Sequence, residues 1–222
     1  MPDYAAARLN MVEGQLRTNK VTDPAVIDAF LAVPRELFVP VALRGIAYVD
    51  EDITLSADRA LMEPMVLARL LQLAAIRSAD KVLVVGCATG YAAALVARLS
   101  SEVTALESDR RLAAIARDLL TKQGARVDLV EGELAEGWPG RAPYDVILLD
   151  GAVAAVPPRL AAQLAEGGRL VGVLAAETRP IGRGMGEAVL MTRAEGALSS
   201  RPVFDAAVRM LPGCGRAPSF VF

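Results

Sequence analysis

Residues 81–91, KVLVVGCATGY, limit the fold of this chain more than any other stretch. Val82, Leu83, Val84 and Val85 form an uninterrupted apolar run, the pattern of a parallel strand buried on both faces. Gly86 and Gly90 bracket a tight turn after it. Gly86 suits backbone angles that a side chain forbids, and Gly90 suits close approach of a ligand or a helix. Residues 90–99 then read as a helix. The next apolar run, 103–107, delivers the carboxylate of Glu107 at its carboxyl end. A strand, a glycine turn, a helix and a strand-end acid predict an open α/β sheet with a nucleotide pocket beyond the strand ends.

The rest of the chain extends this rhythm. Strands are expected at 82–86, 103–107, 126–131, 144–150 and 168–174, with helices at 90–99, 109–123 and 157–165. Such alternation implies a parallel sheet with right-handed crossovers. Segments 187–193 and 203–211, separated by a turn-like AEGALSS, predict an antiparallel hairpin that finishes the sheet. Before the core, residues 4–16 read as a helix behind Asp3. Residues 24–33 read as another, with Asp23 as the cap and Pro24 in the first turn. A turn of helix is expected at 34–40, an irregular loop at 45–59 with acids Asp50, Glu51 and Asp52, and an apolar helix at 62–76. The predicted organisation is a single domain over 1–222. Residues 1–78 supply an N-terminal helical extension and 79–222 the nucleotide-binding core.

Composition narrows the chemistry. The 222 residues are 54% apolar and carry a net charge of −2, without a basic run, so nucleic acid has no electrostatic footprint. No apolar stretch reaches membrane-spanning length, and no signal peptide is read at the start. Two distant cysteines, Cys87 and Cys214, suit a reduced, cytoplasmic chain. The chain contains no histidine, which removes Ser-His-Asp triads, Cys-His pairs and His-ligated metals, and no metal site is expected.

The turn G-C-A-T-G departs from the G-x-G-x-x-G pyrophosphate cradle, and no P-loop lysine follows. Glu107 suits the two ribose hydroxyls. Glu133, after the third strand, either meets an adenine edge or caps a helix. Two acids without a phosphate clamp favour S-adenosyl-L-methionine over a dinucleotide. The expected cofactor-binding set is Gly86, Cys87, Thr89, Gly90, Tyr91, Glu107, Glu133 and Leu134. Cys87 reads as a small turn residue rather than a nucleophile, and Trp138 and Tyr144 as packing residues.

Segments 11–17 (MVEGQLR), 33–40 (VPRELFVP), 47–55 (AYVDEDITL), 82–99 and 136–157 (EGWPGRAPYDVILLDGAVAAVP) together resemble the protein-L-isoaspartate O-methyltransferase family of class I methyltransferases. The resemblance implies a three-layer, Rossmann-like α/β fold with a mixed seven-stranded sheet and a reversed last strand. It also implies methyl transfer from S-adenosyl-L-methionine to the carboxylate of damaged aspartyl residues in a peptide or protein, leaving S-adenosyl-L-homocysteine. A carboxylate acceptor is already ionised at neutral pH, so a histidine-free chain suffices. Four positions depart from the family. Ala60 and Met62 stand where it carries small hydroxyl residues in a G-Q-T-I-S-x-P-like segment, Val84 stands where an acid usually precedes the glycine turn, and Asp150 stands at the end of the fourth strand, where a small hydroxyl residue is usual. Met62, Glu63 and Asp150 are therefore the candidate acceptor-site residues. Asp150 and Glu63 either remodel that site or serve as a cap and a solvated first-turn residue. Two alternatives accompany the isoaspartyl reading: a different methyl acceptor, or a catalytically silent cofactor-binding protein that acts through a partner, with residues 215–222 (GRAPSFVF) as one candidate interface.

Overall fold

The structure is a computed structural model that describes residues 2–175 and 183–215. The chain opens with α1 (Tyr4–Met11) and α2 (Pro24–Ala32). Asp3 caps α1 by accepting from the Ala6 amide at 3.0 Å, and Asp23 caps α2 by accepting from the Ala25 amide at 2.9 Å. The expected helix over 4–16 changes character after Met11. It continues as a wide π turn over Val12–Leu16 and a 3-10 turn over Arg17–Asn19, closed by Lys20 at φ 66°. The loop over 45–59 is less irregular than expected, because β1 (Ile53–Thr54) pairs with β2 (Ala60–Leu61).

Helix α3 (Pro64–Ala74) starts at its proline rather than at Met62. Its orphan amides find loop acids: Glu63 N–H donates to Asp52 at 2.9 Å and Met65 N–H to Asp50 at 3.1 Å. The core then runs β3 (Lys81–Val85), α4 (Tyr91–Val96), β4 (Glu102–Glu107), α5 (Arg110–Lys122), β5 (Asp128–Glu131), β6 (Tyr144–Val153), α6 (Pro158–Ala161), β7 (Leu164–Ala175), β8 (Arg183–Ala194) and β9 (Ala197–Arg209). Among the described residues seven strands form one sheet in the order β5-β4-β3-β6-β7-β8-β9.

The first five strands of the core are parallel and β8 and β9 form the expected hairpin. The reversed strand is the penultimate one, β8, and not the last. Glu195 and Gly196 join β8 to β9 with φ of 52° and 75°, the two positive angles of a tight hairpin turn. The turn sends β9 back against β8, so β9 regains the direction of β7.

Alternation along each strand builds two cores. Val82 and Val84 of β3, Val146 and Leu148 of β6, and Val171 and Val173 of β7 join one face. That face is covered by α3, α4 and α5, with α1 and α2 stacked behind. Leu83, Val85, Ile147, Leu149 and Leu170 join the other face, under Leu134, Trp138 and Leu160. Helix α4 is apolar all round because it lies between the sheet and the N-terminal extension, and all six of its residues are buried.

The helix expected over 157–165 is cut to four residues. The Gln163 side chain donates to the Glu136 carbonyl at 2.7 Å and accepts from the Trp138 amide at 2.8 Å, while Leu164 already pairs with Tyr144 of β6. Among the described residues no helix is long and apolar enough to cross a membrane, and no group of acids or cysteines is placed to hold a metal ion.

Candidate active site

Strand order reverses between β3 and β6, so the crevice beyond their carboxyl ends is where an open sheet receives a ligand. Three residues meet there. Gly86 ends β3 at φ 80°, with its amide bonded to the Leu106 carbonyl at 2.8 Å. Glu107 ends β4 with no solvent exposure. Asp150 lies on a bulge of β6, where register with β7 slips between Leu148 and Ala152, and it is 5% exposed. The bulge turns Asp150 away from the ladder, as bulges beside sites commonly do.

Glu107 is saturated with donors. Its Oε1 accepts from the Ser108 and Asp109 amides at 2.9 and 3.0 Å, and its Oε2 from the Ala88 amide at 2.6 Å. The Ser108 hydroxyl adds a long contact at 3.5 Å, and the remaining donor is the Arg59 guanidinium, 2.6 Å from Oε2 and itself 3% exposed. Arg59 also donates to the Gly86 carbonyl at 2.6 Å. Leu211 joins it over the turn: a methyl carbon on Gly86 would stand 2.6 Å from Leu211 Cδ2 and 3.3 Å from Arg59 Nη2. Leu211 is brought there by its amide bond to the Ala152 carbonyl at 2.8 Å.

The remaining sequence candidates fall into distinct places. Gly90 caps α4 at φ 95°, and its missing side chain serves α5: a Cβ there would stand 3.3 Å from Ala116 Cβ. Thr89 donates its hydroxyl to the Phe38 carbonyl at 2.6 Å, tying the turn to the extension. The Tyr91 ring also faces the extension, edge-on to Phe30 and Phe38, with the Arg35 guanidinium 4.9 Å from its centroid. Cys87 is fully buried, and burial followed by the nearby charges of Glu107 and Asp150 holds its thiol well above the usual range. A buried, protonated thiol is a poor nucleophile. Glu133 is exposed just beyond β5, one residue after Gly132, whose amide bonds the Glu107 carbonyl at 3.1 Å. Leu134 packs in the second core.

Met62 and Asp150 share a small cavity of about 10 Å³ with Asp52, Arg59, Ala60, Gly151 and Arg209. That is room for about one water. Glu63 is not among the residues that line it. Burial raises the Asp150 carboxyl to about 7, against the opposing pull of Arg59 and Arg35. Its Oδ1 has no hydrogen-bond partner among the described residues.

Sequence reasoning missed Arg59, Leu211 and Arg35. Arg35, inside VPRELFVP, is fully buried and donates to the carbonyls of Ala47 at 2.7 Å and Met62 at 2.8 Å. It sets the path of the segment that carries Arg59 and Met62. The signal for Arg59 was a lone cation in a segment otherwise stripped of polar donors at Ala60 and Met62.

A mixed seven-stranded sheet, a glycine turn after its central strand and a buried acid at the end of the next strand define a class I methyltransferase fold. Two solved structures share it. A protein-L-isoaspartate O-methyltransferase superposes with a TM-score of 0.79 at 24% identity, covering 94% of this chain and 67% of its own. A Plasmodium falciparum protein in complex with S-adenosyl-L-homocysteine superposes with a TM-score of 0.75 at 16% identity, covering 95% and 99%.

At the sequence level, the family described as protein-L-isoaspartate(D-aspartate) O-methyltransferase matches residues 7–195. A Methylorubrum extorquens protein-L-isoaspartate O-methyltransferase is 43% identical over 171 residues, 77% of this chain and 75% of the relative. One from Methanoculleus marisnigri is 34% identical over 198 residues, 88% and 87% of the two chains. The chain belongs to the protein-L-isoaspartate O-methyltransferase family.

S-adenosyl-L-methionine is the cofactor this family implies, and the residues present fit it in kind. Glu107 is a buried carboxylate fixed by three backbone amides, and Gly86 leaves a cradle that a Cβ would fill. Two flexible side-chain ends, those of Arg59 and Leu211, occupy the space over the cradle.

Proposed function

We propose that this chain methylates the free carboxylate of isoaspartyl residues in damaged peptides and proteins, using S-adenosyl-L-methionine, in a reduced cytoplasmic setting. The observation that carries the reading is the buried Glu107 carboxylate, presented by backbone amides at the crevice where β3 and β6 part. The family match over 7–195 and the two buried free thiols support it.

When bound, S-adenosyl-L-methionine supplies a methyl group on a cationic sulfur. Glu107 is placed to accept from ribose hydroxyls once Arg59 and Leu211 swing aside, with Gly86 adding no side chain beside it and Glu133 near the adenine side. Met62, 3% exposed, gives the acceptor cavity an apolar wall. Burial raises the Asp150 carboxyl to about 7, which favours its uncharged form near neutral pH far more than in an exposed aspartate. In that form it donates its O–H to an incoming carboxylate instead of repelling it. It thereby supplies the donor that Ala60 and Met62 lack. Glu63 is the N-cap of α3 and lies outside the cavity lining. An acceptor that arrives ionised needs no general base, so positioning and exclusion of water remain the protein's tasks, and positioning contributes roughly 7–11 kcal/mol in favourable cases. The domain reading is one unit over 1–222, supported by a first core that joins Met11 and Phe30 of the extension to Val82 and Val146 of the sheet.

The test is transfer of a tritiated methyl group to an isoaspartyl peptide, with the aspartyl isomer as control. Base-labile methyl ester on the isoaspartyl peptide alone is the expected outcome. Equal counts on both peptides, or none above blank, would sink the proposal.

A further inference from the structure

Besides a long 3.5 Å contact from the Ser108 hydroxyl, Glu107 holds four short donors, and they are not equivalent. The amides of Ala88, Ser108 and Asp109 are fixed by the turn and by the start of α5. Of these four, Arg59 alone arrives on a rotatable side chain, from 48 residues away, and it is the only charged one. A carboxylate offers about four lone-pair sites, so Glu107 has none left for a ribose. Among the four short bonds, only Arg59 can yield its place without unmaking the turn, whereas the Ser108 hydroxyl holds Glu107 only at 3.5 Å.

A guanidinium that leaves Glu107 needs another anion, because an uncompensated buried charge is costly. Its surroundings favour one direction. Arg59 already lines the small cavity with Asp52, Ala60, Met62, Asp150, Gly151 and Arg209, and its Nε is buried without a hydrogen-bond partner. Ala60 and Met62 have no side-chain donor. Arg209, the other cation of the lining, already donates to the Ala57 carbonyl at 2.6 Å. Asp52 Oδ1 accepts from the Glu63 amide. Asp150, the remaining carboxyl, competes only weakly, because burial disfavours its charged form. The planar fork of arginine matches a carboxylate in two parallel hydrogen bonds.

On the methyltransferase reading above, we infer that Arg59 is a two-position anion receptor. It closes Glu107 in the resting chain and, once ribose hydroxyls take its place, turns to bind the carboxylate of the methyl acceptor. The two substrates then bind in order, the nucleoside first. Competition for Glu107 also weakens nucleoside binding, so the resting chain trades affinity for that order.

The test is calorimetry with S-adenosyl-L-homocysteine and an isoaspartyl peptide on wild type and Arg59→Gln. With no guanidinium on Glu107, Arg59→Gln binds S-adenosyl-L-homocysteine about tenfold or more tightly than wild type. Loaded with that nucleoside, it binds the peptide about tenfold or more weakly. Unchanged or weaker nucleoside affinity in the variant overturns the proposal, and so does unchanged peptide affinity. Should Arg59→Gln not fold, wild type decides. Saturating S-adenosyl-L-homocysteine must raise its affinity for the isoaspartyl peptide about tenfold or more, and equal affinity with and without the nucleoside overturns the proposal. Failure of both proteins to bind S-adenosyl-L-homocysteine refutes the methyltransferase reading itself, and the two-position Arg59 with it.

Discussion

Replacing Asp150 by asparagine should change how stability depends on pH, with a sign set by burial. The Asp150 carboxyl is 5% exposed, and its proton-binding midpoint moves from the ordinary 3.8 to about 7 in the folded chain. Between those values the folded chain holds a proton that the unfolded chain has released. Stability from this group is therefore fully present below the unfolded value and is lost as pH rises toward about 7. Each pH unit in that window costs about 1.4 kcal/mol, and the whole displacement amounts to about 4 kcal/mol. Between about pH 5 and about pH 8 the loss works out at roughly 3 kcal/mol, because part of the window lies below the first pH. Asparagine keeps the shape of the side chain and cannot ionise, so Asp150→Asn lacks this dependence. Urea unfolding at the two pH values measures it. Asp150→Asn should be more stable than wild type by roughly 1.5 kcal/mol at about pH 5 and by roughly 4 kcal/mol at about pH 8, a gap that widens by roughly 3 kcal/mol across the window, with equal denaturant slopes. Parallel pH profiles, or a variant less stable than wild type at the higher pH, would refute the claim that Asp150 is held mainly neutral by its burial.

The same titration should appear in turnover: kcat/KM for isoaspartyl peptide falls as pH rises through about 7 in wild type, and Asp150→Asn, which keeps a donor, flattens that limb of the pH–rate profile. Glu107→Ala strands the Arg59 guanidinium in the interior. It should lose about 3–5 kcal/mol of stability in urea titrations and about a hundredfold in calorimetric affinity for S-adenosyl-L-homocysteine. Arg35→Met removes two charge-assisted bonds to the Ala47 and Met62 carbonyls, and urea unfolding should show a loss of about 3 kcal/mol or more. Gly90→Ala forces a side chain into φ 95° and against Ala116, and chemical denaturation should register about 2–4 kcal/mol.

Much of the frame was legible because it is encoded locally. The apolar run at 82–85 feeds alternate side chains into two cores, so one short pattern reports that both faces of the sheet are covered. Asp23 before Pro24 marks a helix start that the structure reproduces atom for atom. The hairpin of β8 and β9 announced itself through Glu195-Gly196, although the resemblance put the reversed strand in the wrong place. Illegible features depend on partners distant in sequence. Helix α6 stops early because Gln163 reaches back to Glu136 and Trp138, 27 and 25 residues away. The bulge that redirects Asp150 is a register property of β6 against β7, which no single strand displays. Gly90 looked equally able to admit a ligand or a helix, and only the packing of α5 decides for the helix. The acids Asp50 and Asp52 looked like loop charge and proved to cap α3 from outside. The described residues do not reach 216–222, so nearly all of GRAPSFVF lies outside them.

Sequence reading located the strand-end acid and overlooked its counter-ion, and the physical reason carries a consequence for the site. A buried carboxylate at a sheet crevice is stable on its own only with donors to match its charge, and the turn provides three amides. Those three leave the charge uncancelled, so the resting chain needs a cation, and Arg59 supplies it. Arg35 holds the Met62 carbonyl, and with it the β2 segment that carries Arg59 to Glu107, against the extension. VPRELFVP therefore does more than pack: its buried arginine fixes the strand that delivers the second arginine to the crevice. The electrostatics of the pocket thus originate in the N-terminal extension, and variants at Arg35 should shift nucleoside affinity along with stability, although Arg35 is not hydrogen-bonded to the turn. Calorimetry of S-adenosyl-L-homocysteine on Arg35→Lys reads this coupling. Lysine keeps the charge but cannot span both carbonyls, so Arg59 should sit less firmly on Glu107 and the nucleoside should bind more tightly than to wild type. Affinity equal to that of wild type in a folded Arg35→Lys would break the chain of dependence from extension to cofactor crevice.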